Sequence, residues 1–90
     1  MKKYIIEREI PGVEKLSERD TKAAALQSNR ALAELGPDIQ WQHSYISKDR
    51  THCVYIAKDE NIIRKHAEKI GTPIISVTEV KSMWDPTTSD

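Results

Sequence analysis

The alternation of apolar and polar positions predicts a strand near the start of the chain. Between residues 3 and 10, one face carries Tyr4, Ile6, Arg8 and Ile10, and the other carries Ile5, Glu7 and Glu9. Ser17 followed by Asp20 is typical of a helix N-terminus, and Gly36-Pro37 ends the helix that begins at about Glu18. The apolar stripe of this helix is rich in alanine, which would let it lie close to a sheet.

A second strand is predicted from residue 39 to residue 47, and its aromatic residues share one face. That face carries Ile39, Trp41, His43 and Tyr45. A short polar turn, Lys48-Asp49-Arg50, separates it from a third strand at residues 51 to 57, so the two strands form a hairpin.

The length of that turn decides which side chains of the hairpin face each other. Because the turn lacks the Asn-Gly sequence that two-residue loops favour, we expect a three-residue loop. This loop would place Tyr45 opposite Cys53 and His43 opposite Tyr55. A two-residue loop would shift the pairing by one residue and turn Cys53 and Tyr55 to the other face.

The second helix begins after Asp59 and ends at Gly71 and Pro73. The residues that share its apolar face are Ile62, Ile63, His66, Ala67 and Ile70. A β-branched fourth strand follows at residues 74 to 80. We therefore expect one domain at residues 1–81 and a C-terminal tail at residues 82–90 that is flexible, or docked on a partner through Trp84.

The order of these elements, β-α-β-β-α-β, predicts an α+β fold of the ferredoxin-like type. Its usual form is a four-stranded antiparallel sheet in the order 4-1-3-2 with two helices on one face. The other face of the sheet would be left uncovered, so we expect a homodimer that buries it.

Composition narrows the classes of partner. The chain has 90 residues, and its 14 basic and 14 acidic side chains cancel, which disfavours nucleic acid and anionic membranes as partners. No run approaches the roughly 20 apolar residues that cross a bilayer, and the start of the chain does not resemble a signal peptide. One cysteine cannot form an internal disulfide, so a cytoplasmic location is expected.

Four residues are candidate metal ligands. His43 offers an imidazole on a strand, and Glu7 is a carboxylate on the predicted central strand, where it needs a partner. His52 lies beside the turn, and His66 lies on or beside the apolar face of the second helix. With the expected loop, either a water molecule or Tyr55 would bridge Glu7 and His43, and with Tyr55 the three side chains would form a row across the sheet that His66 could not join.

The segment around the hairpin also supplies candidate pocket or network residues. They are Trp41, Tyr45, Cys53 and Tyr55. Cys53 has no second cysteine and no visible charged activator nearby, so we interpret it as a packing residue rather than a reactive thiolate. The motifs of phosphate-binding loops, zinc sites and hydrolases do not occur in the chain.

Four segments together resemble a known family: ERE-IPG from Glu7, SNRALAELG from Ser28, WQHSYISKDRTHCVY from Trp41 and IRKHAEKIGTP from Ile63. The chain is similar, over residues 4 to 80, to small bacterial ferredoxin-like domains described as nickel-binding-like or of unknown function. The resemblance implies a dimeric domain and divalent metal binding of the nickel type. The positions that match the family pattern are Glu7, His43, Tyr45, Cys53, Tyr55 and His66. Gln42 and His52 depart from it.

The function expected from sequence is therefore metal binding of the nickel type, for sequestration or metal response and without catalysis. Imidazole, carboxylate and water would complete the ligand sphere. One alternative is a dimeric α+β barrel enzyme in which His43, Tyr45 or Glu7 moves a proton of a small organic substrate, and a pocket lined by these groups would favour it. Another is a non-catalytic interaction module in which Glu7 pairs with a cation.

Overall fold

The computed structural model describes all residues from 1 to 90. Its strands are β1 (Lys2–Glu9), β2 (Ile39–Ser47), β3 (Arg50–Ala57) and β4 (Ser76–Glu79), and its helices are α1 (Glu18–Leu35) and α2 (Glu60–Ile70). The four strands form one antiparallel sheet in the order β2-β3-β1-β4, which confirms the predicted α+β topology. Neither helix is long and apolar enough to cross a lipid bilayer.

Both helices begin where the sequence predicts, because each is capped by a side chain. The Ser17 hydroxyl accepts a hydrogen bond from the Asp20 amide at 3.0 Å, and an Asp59 carboxylate oxygen accepts one from the Ile62 amide at 3.0 Å. These bonds satisfy backbone donors that a helix leaves free in its first turn. At the other end of α2, Gly71 adopts a left-handed conformation with φ 71° and closes the helix.

The core lies between the helices and one face of the sheet. Its buried residues are Tyr4, Ile6, Ile39, Cys53, Tyr55, Ala57 and Ile63. The face of β1 that contributes Tyr4 and Ile6 also contributes Arg8, which confirms the predicted alternation of that strand. The opposite face carries no helix, and we call it the open face.

The hairpin differs from its prediction in the length of its loop. Ser47 pairs directly with Arg50, so Lys48 and Asp49 form a two-residue loop rather than the expected three-residue loop. Asp49 adopts φ 59°, a conformation that Asp tolerates better than most side chains. Its carboxylate accepts a hydrogen bond of 2.8 Å from the Gly12 amide, which fixes the tip of the hairpin against the loop after β1.

The structure also differs from the prediction at Gln42, where β2 contains a β-bulge. Trp41 pairs with Tyr55 and His43 pairs with Val54, so Gln42 has no partner of its own in β3. The extra residue reverses the alternation of β2 at this point, and Trp41 and His43 therefore lie on opposite faces of the sheet. The predicted aromatic face of β2 was wrong for this reason: Trp41 faces the helices, whereas His43 and Tyr45 lie on the open face.

The C-terminal tail follows the sheet as an exposed segment. A short 3-10 helix, Pro86–Ser89, begins at Asp85, whose side chain accepts a hydrogen bond from the Thr87 amide. Trp84 is 81% exposed and does not pack on its own chain.

Candidate functional site

The open face carries a row of three side chains across three strands. Glu7 of β1 is directly opposite His52 of β3, and His52 is directly opposite Tyr45 of β2. Glu7 Oε1 lies 3.4 Å from His52 Nε2 and accepts a hydrogen bond of 3.0 Å from the Arg50 guanidinium. The length of the loop explains this row. With two loop residues, His52 rather than Cys53 pairs with Tyr45. We call Glu7, His52 and Tyr45 the open-face row.

His43 lies next to the row but not in it. Its ring packs edge-on against Tyr45, with the ring centroids 5.1 Å apart. His43 pairs with Val54, which places it diagonally across from His52, a relationship that separates residues by roughly 7–8 Å in antiparallel strands. The open-face row and His43 together supply two imidazoles, one carboxylate and one phenol.

These groups do not amount to a complete metal site within one chain. No group of three or more His, Cys, Asp and Glu side chains is arranged so that it could hold a metal ion. Glu7 and His52 are a pair of suitable donors, and Arg50 competes for the carboxylate of that pair. One chain alone therefore does not fit an octahedral Ni(II) ion, unless further ligands come from outside it.

The predicted row of Glu7, Tyr55 and His43 was wrong. Tyr55 is 2% exposed and lies on the helix side of the sheet, where it is opposite Tyr4. The two-residue loop and the bulge together put it on the face away from Glu7 and His43. Cys53 shares the side of Tyr55, where it is buried as a free thiol.

His66 is completely buried on the helix side, away from the other candidate ligands. One ring nitrogen, Nε2, is 3.2 Å from the Ser28 hydroxyl, and the ring packs against Tyr55 with the centroids 5.5 Å apart. Loss of solvation, with the nearby Arg8 cation as a second cause, lowers the pKa of His66 to about 4. Its imidazole is therefore neutral at physiological pH. Burial likewise raises the pKa of Tyr55.

A cavity of about 350 Å³ lies between the first half of α1 and the sheet. Ala24 and Ala25 of α1 line this cavity, so this end of the helix does not pack directly on the sheet as predicted. The residues that line it are Arg8, Ile10, Val13, Leu16, Thr21, Ala24, Ala25, Gln27, Ser28, Trp41, Ser44, Ile46, Thr51, Cys53, Tyr55, Ile70 and Thr72. None of the proton-transfer candidates Glu7, His43 and Tyr45 is among them.

Sequence reasoning missed Arg8 and Thr51 as members of a site. Arg8 is 3% exposed and Thr51 is buried opposite it in β3. The available signal was the alternation of β1, because it placed a cation on the same face as Tyr4 and Ile6. A charged residue on the apolar face of a central strand is unusual enough to indicate a site.

Comparison with known proteins agrees with this architecture. The crystal structure of SCO4226 from Streptomyces coelicolor A3(2) superposes with a TM-score of 0.74, covering 91% of this chain and 99% of that chain. The two sequences are 9% identical, so this match bears on the fold alone. A search of curated proteins gives no match.

The family comparison extends over nearly the whole domain. The model of one family, described as nickel responsive protein SCO4226-like, matches residues 4–80. This range runs from the third residue of β1 to the residue after β4, so it includes all of the sheet domain except the first two residues of β1. The chain belongs to the family described as nickel responsive protein SCO4226-like.

Proposed function

We propose that this chain binds a divalent transition metal, nickel first, on its open face and serves metal sequestration or metal response rather than catalysis. The family description supports a connection with nickel. The observation that carries the proposal is the distance of 3.4 Å between Glu7 Oε1 and His52 Nε2. A carboxylate and an imidazole this close can share one ion, and Ni(II) accepts such mixed oxygen and nitrogen ligands.

A second copy of the chain supplies the ligands that one chain lacks. In a homodimer that pairs the open faces about a two-fold axis, each Glu7 and His52 has a counterpart from the partner subunit. Two such pairs make four protein ligands, and water completes an octahedron. Ile5, Val54 and Ile56 lie on the open face to one side of the pair and give the interface an apolar component.

Arg50 has a defined part in this arrangement. Its guanidinium neutralises Glu7 in the metal-free chain, which avoids an unpaired carboxylate on the central strand. A metal ion would replace Arg50 as the partner of Glu7. Because the Glu7–Arg50 ion pair must break first, it reduces the affinity of the chain for the metal. Arg50→Gln is therefore expected to bind Ni(II) more tightly than the wild type.

Calorimetric titration with Ni(II) tests the proposal. Glu7→Gln and His52→Gln should each weaken binding by about tenfold or more, because each removes a ligand. Glu9→Gln is the matched control, since Glu9 lies on the same strand and the same face but forms no ion pair with His52. In NMR spectra, the paramagnetic ion should broaden the imidazole signals of His52 before those of buried His66.

The proposal fails if the wild type binds no Ni(II), or if Glu7→Gln and His52→Gln bind it as well as Glu9→Gln does. Broadening that is strongest at His66 would also contradict it, because that ring lies on the other side of the sheet.

A second candidate is a non-catalytic interaction module. The observation that favours it is the ion pair between Glu7 and Arg50, which satisfies the carboxylate without a metal. In that case the chain would form a dimer through the open face but show no Ni(II) binding, and Glu7→Gln would weaken the dimer instead.

A further inference from the structure

Arg8 is a buried cation without a counter-ion. It is 3% exposed, and no carboxylate lies within ion-pair distance of its guanidinium. Its one hydrogen bond, from Nη1 to the Cys53 sulfur, is long at 3.7 Å, and its Nε and Nη2 have no partner in the protein. Burying a charge in this way is costly unless an opposite charge compensates it.

The surroundings of Arg8 are those of a ligand site rather than of a packed core. Arg8 lines the cavity of about 350 Å³ under α1, a volume at the lower end of the range of roughly 300–1,000 Å³ for small-molecule sites. The Thr51 hydroxyl, opposite Arg8 in the neighbouring strand, is a second buried polar group without a partner. Unsatisfied polar groups that line a mostly apolar cavity are typical of a site that orients a polar ligand group.

The charges of the cavity select the kind of ligand. Arg8 is the only charged residue among those that line it, and the neutral state of nearby His66 adds no second cation. One guanidinium balances one negative charge, and its two free donor positions match the two oxygens of a carboxylate. Trp41, Ala24 and Ala25 make much of the remaining wall apolar, and such a wall suits a hydrocarbon body.

We propose that this cavity binds a small monocarboxylate with an aromatic or aliphatic body, whose carboxylate pairs with Arg8 and accepts a hydrogen bond from Thr51. The site is separate from the open-face row, because Arg8 and Glu7 lie on opposite faces of β1. It does not depend on the proposed metal binding.

The two tryptophans of the chain allow a direct test by NMR. Trp41 lines the cavity and donates its indole N–H to the Ser44 hydroxyl, whereas Trp84 is exposed in the tail and serves as an internal reference. The full chain is titrated with phenylacetate, with the neutral analogue 2-phenylethanol and with inorganic phosphate. We expect phenylacetate to shift the Trp41 indole signal saturably while that of Trp84 stays in place. The affinity for 2-phenylethanol should be lower by about tenfold or more, since the alcohol leaves the cation unpaired.

Two variants and a control locate the binding. Arg8→Met removes the charge and should reduce phenylacetate affinity by about tenfold or more. Arg30→Met, an exposed change on α1 outside the cavity, should bind like the wild type. Ala25→Leu keeps Arg8 but fills the space for the hydrocarbon body, so it should also bind weakly, and it decides the question if Arg8→Met does not fold.

Several results would overturn the proposal. They are an absence of phenylacetate binding by the wild type, equal affinity for the acid and the alcohol, binding of phosphate alone, and unchanged phenylacetate affinity in Ala25→Leu or in a folded Arg8→Met protein.

Discussion

Glu7 and Arg8 are consecutive residues of β1 that lie on opposite faces of the sheet, and only Glu7 has an oppositely charged partner. The Glu7 carboxylate has Arg50 and His52 as partners on the open face, whereas Arg8 is buried under α1 without any carboxylate. The two adjacent charges cannot neutralise each other, because side chains alternate along a strand. Each face of the central strand therefore has a charge that needs its own partner.

The dimer through the open face can be tested with one substitution. Ile5→Lys places a charge in the centre of the proposed interface and should weaken the dimer by about 3 kcal/mol, or roughly a hundredfold in dissociation constant. Sedimentation velocity over a range of concentrations measures this. Leu26→Lys is the control, because Leu26 is half-exposed on α1, away from the open face. A wild-type chain that stays monomeric throughout would contradict the homodimer.

Removing the buried charge of Arg8 should stabilise the isolated chain. Arg8→Met keeps most of the side-chain volume and removes an uncompensated cation, so the free energy of unfolding should rise by about 1–4 kcal/mol. Urea denaturation in a buffer free of carboxylates measures the change. Arg30→Met should stay within about 0.5 kcal/mol of the wild type, as exposed substitutions do. A loss of stability on Arg8→Met would mean that the guanidinium is well satisfied in the folded chain.

His66 makes stability depend on pH. Its pKa is about 4 in the folded chain against 6.5 for a free side chain, so the unfolded state takes up the proton first as the pH falls. The stabilisation is complete above pH 6.5 and is lost as the pH falls towards 4, by about 3 kcal/mol in total. Urea denaturation between pH 7 and pH 5 should show the free energy of unfolding begin to fall, and this pH dependence should be weaker in His66→Gln. An imidazole signal of His66 that titrates near pH 6.5 would refute this.

Asp49 should matter for stability more than its position at a hairpin tip indicates. Asp49→Ala loses the hydrogen bond to the Gly12 amide and places an unfavourable side chain at φ 59°, so it should cost about 1–2 kcal/mol. Asp49→Asn keeps an acceptor oxygen and tolerates the same backbone conformation, so it should cost less than half as much. Thermal unfolding of the two variants compares them directly, and equal losses would show that the charge is the important property.

The overall topology was predictable because local signals and tertiary structure agree. Ser17 and Asp59 cap the helices that their sequence positions predict, and Gly71 ends α2 as expected. The alternation of β1 identified its buried face, including Arg8. These features depend on neighbours within a few residues, which a single sequence displays.

The arrangement of the candidate site was less predictable because it depends on contacts between distant segments. The two-residue loop is stabilised at Asp49 by Gly12, which is 37 positions away in the sequence. The bulge at Gln42 leaves no mark in the pattern, since Trp41, His43 and Tyr45 are all compatible with either face of a strand. One shift in the loop and one in the bulge were enough to replace Tyr55 by His52 as the partner of Glu7.

The bulge at Gln42 also has a consequence for how the domain can diverge. Because one unpaired residue changes the phase of β2, the strand contributes Trp41 to a ligand cavity and His43 to a surface on the reverse side. Deletion of that residue would restore regular alternation and leave Trp41 and His43 on their present faces, because consecutive residues of a regular strand point to opposite sides of a sheet. At this position β2 can therefore gain or lose one residue while each side of the sheet keeps its own side chains.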